Sequence, residues 1–515
     1  MKGKSALLAG VAAIALLATA QAGYAAKKSS DATSVTPATA PAAAPAGPTN
    51  AELAARIQAL EDALQSDESK ASSDHTRLST LEQNFDYAKW TFDNGRPVIS
   101  SGDGRFSMAF RVRFQADFAG FMQDSPASLP AGATKDLASG AVIRRGFFGV
   151  EGKAFNDFWY EFRYNGGGTD AEGFGMSIAR VNYNGIPNFR LSAGVIEPVF
   201  MLEGTTSSGQ LMFLERPEID NIAADVFGAG DSRRGVELTY QKAGVFKSDD
   251  NLVLSVAFTG NTTGTGTDHA TGTDEKTQLL GRASYRFWND GVSNASIGAS
   301  GATIISQGGN STTGFVNLQD RPEIRVSPTR LISTGGLNAR HASMYAFDAA
   351  ANIENFYLGG EYTNFQVDRL ANGAQAGDSP SFSGFYVEGS WVLTGEPKTY
   401  TVSSQNNEVG GFGAPKVANP FSLSGESWGA WELVARYSDT NLNWNKNLAA
   451  TATSQSGING GDERIVDLGL NWYLNNNVKL QVHDLIVNVK RQSGVAGTQI
   501  GQDLNIVGIR LQFTN

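Results

Sequence analysis

Basic residues recur along this chain on one side of segments whose residues alternate in character. Arg111 and Arg113 stand two apart with Gln115 beyond them, followed by Arg145, Lys153, Arg163, Arg180, Arg190, Arg233, Arg282, Arg286, Arg436, Lys479 and Arg510. The same faces carry Asp117, Glu151, Glu161, Glu237, Glu361, Glu388, Glu432 and Asp467. By the period-two rule that is about thirteen bases against about eight acids, so these faces lean cationic. Fixed charges of one sign concentrate potential where low-dielectric walls narrow, and there they attract and sort small ions. The plainer reading is that many of them pair across neighbouring strands. Both readings lead to electrostatics; neither leads to bond-breaking.

Covalent chemistry finds little support. The four His (His75, His269, His341, His483) are scattered, and the chain has no Cys, so a zinc site is not expected. Gly166-Gly167-Gly168 lacks the following Lys-Ser/Thr of a phosphate loop and reads as a turn. No Ser-His constellation stands out, so neither an enzyme nor a cofactor is expected. The formal charge of −10 argues against nucleic acid as a partner.

What positions the charges is a period of two. From Arg105 onward Phe106, Met108, Phe110, Val112, Phe114, Ala116 and Phe118 alternate with Ser107, Ala109, Arg111, Arg113, Gln115 and Asp117. An apolar face of this kind meets lipid in a membrane barrel, while the polar face meets water inside. The pattern recurs in about sixteen segments, near 105–121, 141–153, 157–165, 175–185, 188–196, 232–241, 251–260, 277–287, 293–301, 342–351, 354–368, 381–394, 426–438, 462–473, 477–490 and 503–513. An even number lets a sheet close without a free edge. Gly, Asn, Asp, Ser and Thr clusters such as Gly260-Asn261-Thr262-Thr263-Gly264 separate the segments as turns.

Connections alternate between tight (154–156, 186–187, 475–476) and long (122–140, 197–231, 302–341, 439–461), as in outer-membrane barrels. Tyr164, Phe287, Trp288, Trp391, Tyr437, Trp472 and Tyr473 fall near strand ends, where interfacial girdles need amphipathic rings. The segment 197–231, with Glu197, Glu203, Glu215, Arg216, Glu218 and Asp220, is the expected constriction, its acids opposing a pure anion filter. The connection 395–425 is long on the short-turn side and reads as an inward fold.

The N-terminus reads as targeting. Lys2 and Lys4 precede an apolar stretch from Ala6 to Ala20 and a small-x-small site, giving a signal peptide over 1–22. An Ala/Pro-rich linker over 23–49 follows, poor in large apolar side chains. Thr49-Asn50-Ala51-Glu52 offers a capping box that opens a helix. Leu53, Ile57, Leu60 and Leu64, continued by Leu78, Leu81 and Phe85, make a heptad seam, so 50–85 is expected to form a short periplasmic coiled coil. The barrel occupies 86–515.

Several motifs, in order and spacing, resemble the phosphate-selective porin O and P family. They are Arg144-Arg145-Gly146-Phe147-Phe148-Gly149-Val150-Glu151-Gly152-Lys153, Glu197-Pro198, Phe213-Leu214-Glu215-Arg216, Arg233-Arg234-Gly235-Val236, Leu393-Thr394-Gly395-Glu396, the stretch Gly429 to Ser438, and Leu470 to Asn475. The resemblance runs from Arg105 to Phe513. It implies a sixteen-stranded homotrimeric porin, often with an N-terminal coiled coil, and in some members an arginine-lined anion path. Three departures stand against a tight phosphate site or the usual terminus. Ile196 stands where the family usually has Lys, Phe147 where members often have Arg, and the chain ends Phe513-Thr514-Asn515 rather than on an aromatic.

Together these readings predict an all-β transmembrane antiparallel barrel in the bacterial outer membrane, a homotrimer in contact with lipid. Its expected role is passive diffusion of small hydrophilic solutes and inorganic anions with a mild anion preference. A dedicated phosphate or polyphosphate channel is the alternative within the class. A structural or adhesive outer-membrane protein is the alternative outside it.

Overall fold

The computed structural model describes residues 49–86, 89–93, 95–124, 136–168, 175–261, 275–308, 315–370, 378–446, 457–493 and 499–515. The signal-peptide segment and nearly all of the linker lie outside these residues.

Helix α1 runs Asn50–Asp86. Its start is the capping box read from the sequence: the Thr49 N–H donates to Glu52 Oε2 at 3.0 Å, and the Glu52 N–H donates to Thr49 Oγ1 at 3.3 Å. Leu53, Ile57, Leu60, Leu64 and Leu78 are all exposed in the single chain.

Thr80–Asn515 forms a second compact unit. A short hairpin, Lys89–Asp93 with Arg96–Ser100, leads in and pairs through Val98–Ser100 with the first barrel strand. Sixteen antiparallel strands then follow. They are β1 Ser107–Gln123, β2 Gly140–Ala154, β3 Phe158–Asn165, β4 Gly175–Tyr183, β5 Phe189–Ile196, β6 Arg233–Ala243, β7 Asn251–Thr259 and β8 Thr277–Asn289. The series continues with β9 Asn294–Ser306, β10 Leu337–Ile353, β11 Phe356–Arg369, β12 Ser381–Val392, β13 Ala430–Trp444, β14 Ile458–Tyr473, β15 Val478–Lys490 and β16 Asp503–Thr514.

Each strand pairs with its chain neighbour, and β16 closes on β1 from Leu504↔Gln123 to Thr514↔Arg113. Closure leaves no unpaired edge for lipid to solvate, which a membrane-spanning sheet cannot tolerate. Asn515 finishes the seam: its Oδ1 accepts from the Val112 N–H at 2.7 Å, and its own N–H donates to the Val112 carbonyl at 3.1 Å.

The alternation sorts the two faces as expected. Phe114, Phe118, Phe148, Phe162, Leu254, Val256, Phe258, Leu358 and Ile509 are exposed outward, whereas their sequence neighbours Gln115, Asp117, Glu161, Arg163, Ser255 and Arg510 are buried inside. A continuous apolar exterior of this extent has no place in water and is matched to hydrocarbon. The turn at 155–157 is tight because Phe155 and Asn156 both adopt positive φ, 53° and 70°, the left-handed pair that short hairpins need.

The lumen is not an open tube. Residues 197–232 and 315–336 fold in from the long-loop side, and the 393–429 connection enters from the short-turn side. Within the first, α2 (Glu218–Phe227) begins after Pro217 and stops at Gly228, whose φ of 69° lets its N–H bond back to Ala223 and Ala224. A Cβ at Gly228 would also strike Arg233, at 2.6 Å from its Cγ. Ile219, Ile222, Ala223, Val226 and Phe227 pack with Phe365, Phe382, Tyr386, Leu318 and Ile324. That apolar fill draws on β7–β16 and on Ala119 of β1, and it includes no residue of β2–β4. The 393–429 connection carries a small hairpin, Thr399–Val402 with Val409–Gly413. Its second strand is buried throughout, so the sequence expectation of an inward fold holds.

Candidate functional site

A cavity of about 600 Å³ remains between these infolded segments and the first strands of the barrel. Its wall is a row of guanidinium groups: Arg111 and Arg113 on β1, Arg144 and Arg145 on β2, Arg163 on β3, Arg180 on β4 and Arg233 on β6. Facing them are Glu197, Ser207, Ser208, Glu215, Arg216 and Asp220 from the first infolded segment. Arg325 joins from the second, and Asn406, Asn407 and Glu408 come from the third.

Strict alternation would turn Arg144 toward lipid. A bulge prevents it: Gln115 pairs with Arg145, but Ala116 pairs with Ile143, leaving Arg144 as the extra residue. Both arginines are consequently buried on the inner side. Sequence reasoning missed Arg144 as a site residue because a one-residue insertion carries no periodic signal. Arg325, Asn406, Asn407 and Glu408 were missed because they sit in connections where no period applies.

Most of the guanidinium charge is answered locally. Arg111 meets Glu151 at 2.9 Å and Glu161 at 3.5 Å. Arg180 also pairs with Glu161, and Arg163 with Glu197. Glu215 collects three arginines: Arg144 at 2.6 Å, Arg145 at 3.3 Å and Arg510 at 3.0 Å. Burial alone would push the Glu215 carboxyl up, but Arg144, Arg145 and Arg510 outweigh it and hold it well below the usual carboxylate range. Its neighbour Glu218 goes the other way, raised by burial and by the nearby carboxylates of Glu463, Asp320 and Glu323.

Two cavity cations have no carboxylate partner among the described residues. Arg113 donates to the hydroxyls of Ser207 (2.9 Å), Ser208 and Thr514. Arg216 donates to the carbonyls of Glu203 at 2.9 Å and Thr206 at 2.6 Å. Phe147 also borders the cavity, with the Arg163 guanidinium 4.6 Å and the Arg113 guanidinium 5.6 Å from its ring centre. The ring thus lines the row of charges without adding one.

The remaining basic residues read from the sequence lie elsewhere. Arg190 donates to the Asn406 carbonyl and reaches Glu237 at 3.4 Å. Arg282 is paired with Asp348 at 2.7 Å, and Arg436 with Glu323. Arg286 lies over the Tyr400 ring at 4.7 Å, and Lys479 donates to the Leu211 carbonyl at 2.7 Å. Lys153 is exposed beside the short turn after β2. Of the acids expected in the constriction, Glu197, Glu215 and Asp220, with Arg216, border the cavity, while Glu203 and Glu218 are buried outside its lining. Ile196 is fully buried and does not reach it. Among the described residues no cluster of His, Asp or Glu is arranged to hold a metal.

Comparison with known proteins agrees with this architecture. Residues 108–514 match the family described as "Phosphate-selective porin O and P". Porin O of Pseudomonas aeruginosa is 25% identical over 412 residues, covering 74% of this chain and 83% of that protein. An uncharacterized protein of Caulobacter vibrioides is 23% identical over 427 residues, covering 81% of this chain and 76% of that one. Solved structures that align include an anion-selective porin from Comamonas acidovorans, with a TM-score of 0.43, 13% identity, and coverage of 80% of this chain and 100% of that one. The outer-membrane protein OmpT of Vibrio cholerae in its trimer form aligns with a TM-score of 0.42, 9% identity, and coverage of 80% and 99%. With a family match over most of its length, a closed sixteen-stranded barrel and an arginine-lined lumen, the chain belongs to the phosphate-selective porin O and P family of outer-membrane channels.

Proposed function

We propose that the protein is a homotrimeric diffusion porin that passes small hydrophilic solutes and inorganic anions with a mild anion preference, and that the arginine-lined cavity is its constriction. One observation carries this reading: Arg113 and Arg216 border the cavity with no carboxylate in ion-pair contact, so an anion there meets positive charge that is not neutralised pair by pair. The neighbouring Arg–Glu pairs keep the preference small, since each presents nearly zero net charge to a passing ion. The exposed heptad seam of α1 favours the trimer, because a lone helix has nothing on which to bury it.

A dedicated phosphate channel is the second reading, favoured by the density of N–H and O–H donors around Arg113, Ser207 and Ser208. It is the weaker one. No lysine lines the cavity among the described residues, and the positions held by Phe147 and Ile196 contribute no charge.

Planar-bilayer recording on the purified full-length protein separates the readings. A large ohmic conductance with a reversal potential on the chloride side supports the diffusion porin. A small, saturable current blocked by micromolar phosphate supports the dedicated channel, and no current at all supports a structural or adhesive role.

A further inference from the structure

The 393–429 connection crosses into the lumen from the side on which every other connection is short. Its tip is held from several directions. The Gln405 carbonyl accepts from Asn182 Nδ2 at 2.6 Å, and the Asn406 carbonyl accepts from Arg190. Asn407 Nδ2 donates to the Gly204 carbonyl at 3.2 Å. The turn closes on itself through the Ser403 N–H to the Glu408 carbonyl at 3.1 Å and the Glu408 N–H to Asn406 Oδ1 at 3.0 Å.

Behind the tip, Val409 packs with Val199 and Val253, and Phe412 with Tyr357 and Tyr400. Gly411 and Gly413 allow this fit, because a Cβ would come within 2.6 Å of Thr205 Oγ1 and 2.2 Å of Gln210 Oε1. A ribbon so fastened presents its side chains at fixed positions.

One of those side chains is Glu408. It is partly exposed and borders the cavity, and among the described residues its carboxylate makes no hydrogen bond or ion pair. Arg111 and Arg113 are within its electrostatic reach. Of the other acids that border the cavity, Glu161, Glu197, Glu215, Asp225 and Asp231 are engaged by Arg180, Arg163, Arg144, Arg330 and Arg233, and Asp220 is buried. Glu408 is therefore a free anion set against the free cation Arg113 in one confined space.

We propose that Glu408 is the residue that limits the anion preference of the channel: it offers passing cations a counter-charge beside Arg113 and so sets their share of the current. The inference rests on the diffusion-porin reading of the same cavity. It assigns a selectivity role to a connection on the short-turn side, separate from the segment 197–232.

The test is reversal potential under a potassium chloride gradient, on full-length protein whose folding is checked by heat-modifiable gel mobility. Glu408→Gln is expected to raise the chloride-over-potassium permeability ratio by about twofold, and Glu408→Lys by more. Glu426→Gln, an exposed acid of the same connection outside the cavity, is expected to leave the ratio at the wild-type value.

The chain has no native Cys, so Glu408→Cys gives a second measurement on channels already inserted and conducting. A sulfonate-bearing thiol reagent should return the ratio toward wild type, and an ammonium-bearing one should raise it further. An unchanged ratio in Glu408→Gln and Glu408→Lys, with no response of Glu408→Cys to either reagent, overturns the proposal. A wild-type protein that forms no channel overturns the diffusion-porin reading instead.

Discussion

Arg144 and Glu215 join the barrel wall to its infolded segment in a two-point contact. Arg144 Nε donates to Glu215 Oε1 at 2.6 Å, and Nη2 donates to Oε2 at 3.1 Å. The pair exists because a bulge in β2 turns Arg144 inward. It is reinforced by Arg145 and by Arg510, which is itself held to Asp117 at 2.6 Å. Glu215 is thus the point at which strands β2 and β16 grip the segment that narrows the lumen.

Removing that carboxylate should be expensive. Glu215→Ala leaves three buried guanidinium groups facing one another, a loss of about 3–5 kcal/mol by the usual cost of breaking a buried pair on one side. The expected result is a lower temperature of conversion from the folded to the unfolded gel band, together with noisier single-channel current. Arg144→Met should cost less, because Arg145 and Arg510 still neutralise Glu215.

The two arginines of β1 should differ. Arg113 has no carboxylate partner, whereas Arg111 is answered by Glu151 and Glu161. Arg113→Ala is expected to lower the chloride-over-potassium ratio clearly. Arg111→Ala should shift it less, and in addition loosen Glu151. Reversal potentials of the two single variants measured side by side check the order.

The outward face of the same strand supplies the complementary test. Phe114 is exposed between inward-facing Arg113 and Gln115. Phe114→Arg should cost roughly 2–4 kcal/mol if the position lies near mid-bilayer. It should reduce the yield of folded barrel in lipid vesicles while leaving the selectivity of those channels that do fold at the wild-type value.

Much of this was legible in the sequence. The sixteen alternating segments correspond one for one to the barrel strands, because a wall with lipid on one side and polar groups on the other imposes period two on every strand. The capping box at Thr49 and Glu52 was readable as well. What the period could not supply was the bulge that brings in Arg144, or which inward arginines remain open to solute. Arg282 and Arg436 have the same pattern as Arg113, yet one is paired with Asp348 and the other with Glu323, beneath segments that fill their half of the lumen. That choice is made by contacts between distant connections. No local pattern of residue types encodes it.

Glu218 makes stability depend on pH in a stated direction. Its carboxyl is raised well above the ordinary 4.5, first by burial and then by Glu463, Asp320 and Glu323. A raised folded-state value means the contribution is fully present below the unfolded value and is lost as pH climbs through the folded one. The docking of α2 should therefore weaken as pH rises above 4.5. Glu218→Gln should flatten that decline and raise the gel-conversion temperature at alkaline pH. A wild-type midpoint that climbs over the same range would contradict it.

The most direct measurement is the reversal potential of the wild-type protein in a planar bilayer under a potassium chloride gradient, repeated with added phosphate. A lumen whose free cations Arg113 and Arg216 are partly offset by Glu408 should give a potential on the chloride side, well short of ideal anion selectivity. Micromolar phosphate should leave the current unchanged. A potential on the potassium side, or near-ideal chloride selectivity abolished by micromolar phosphate, would contradict the diffusion-porin reading.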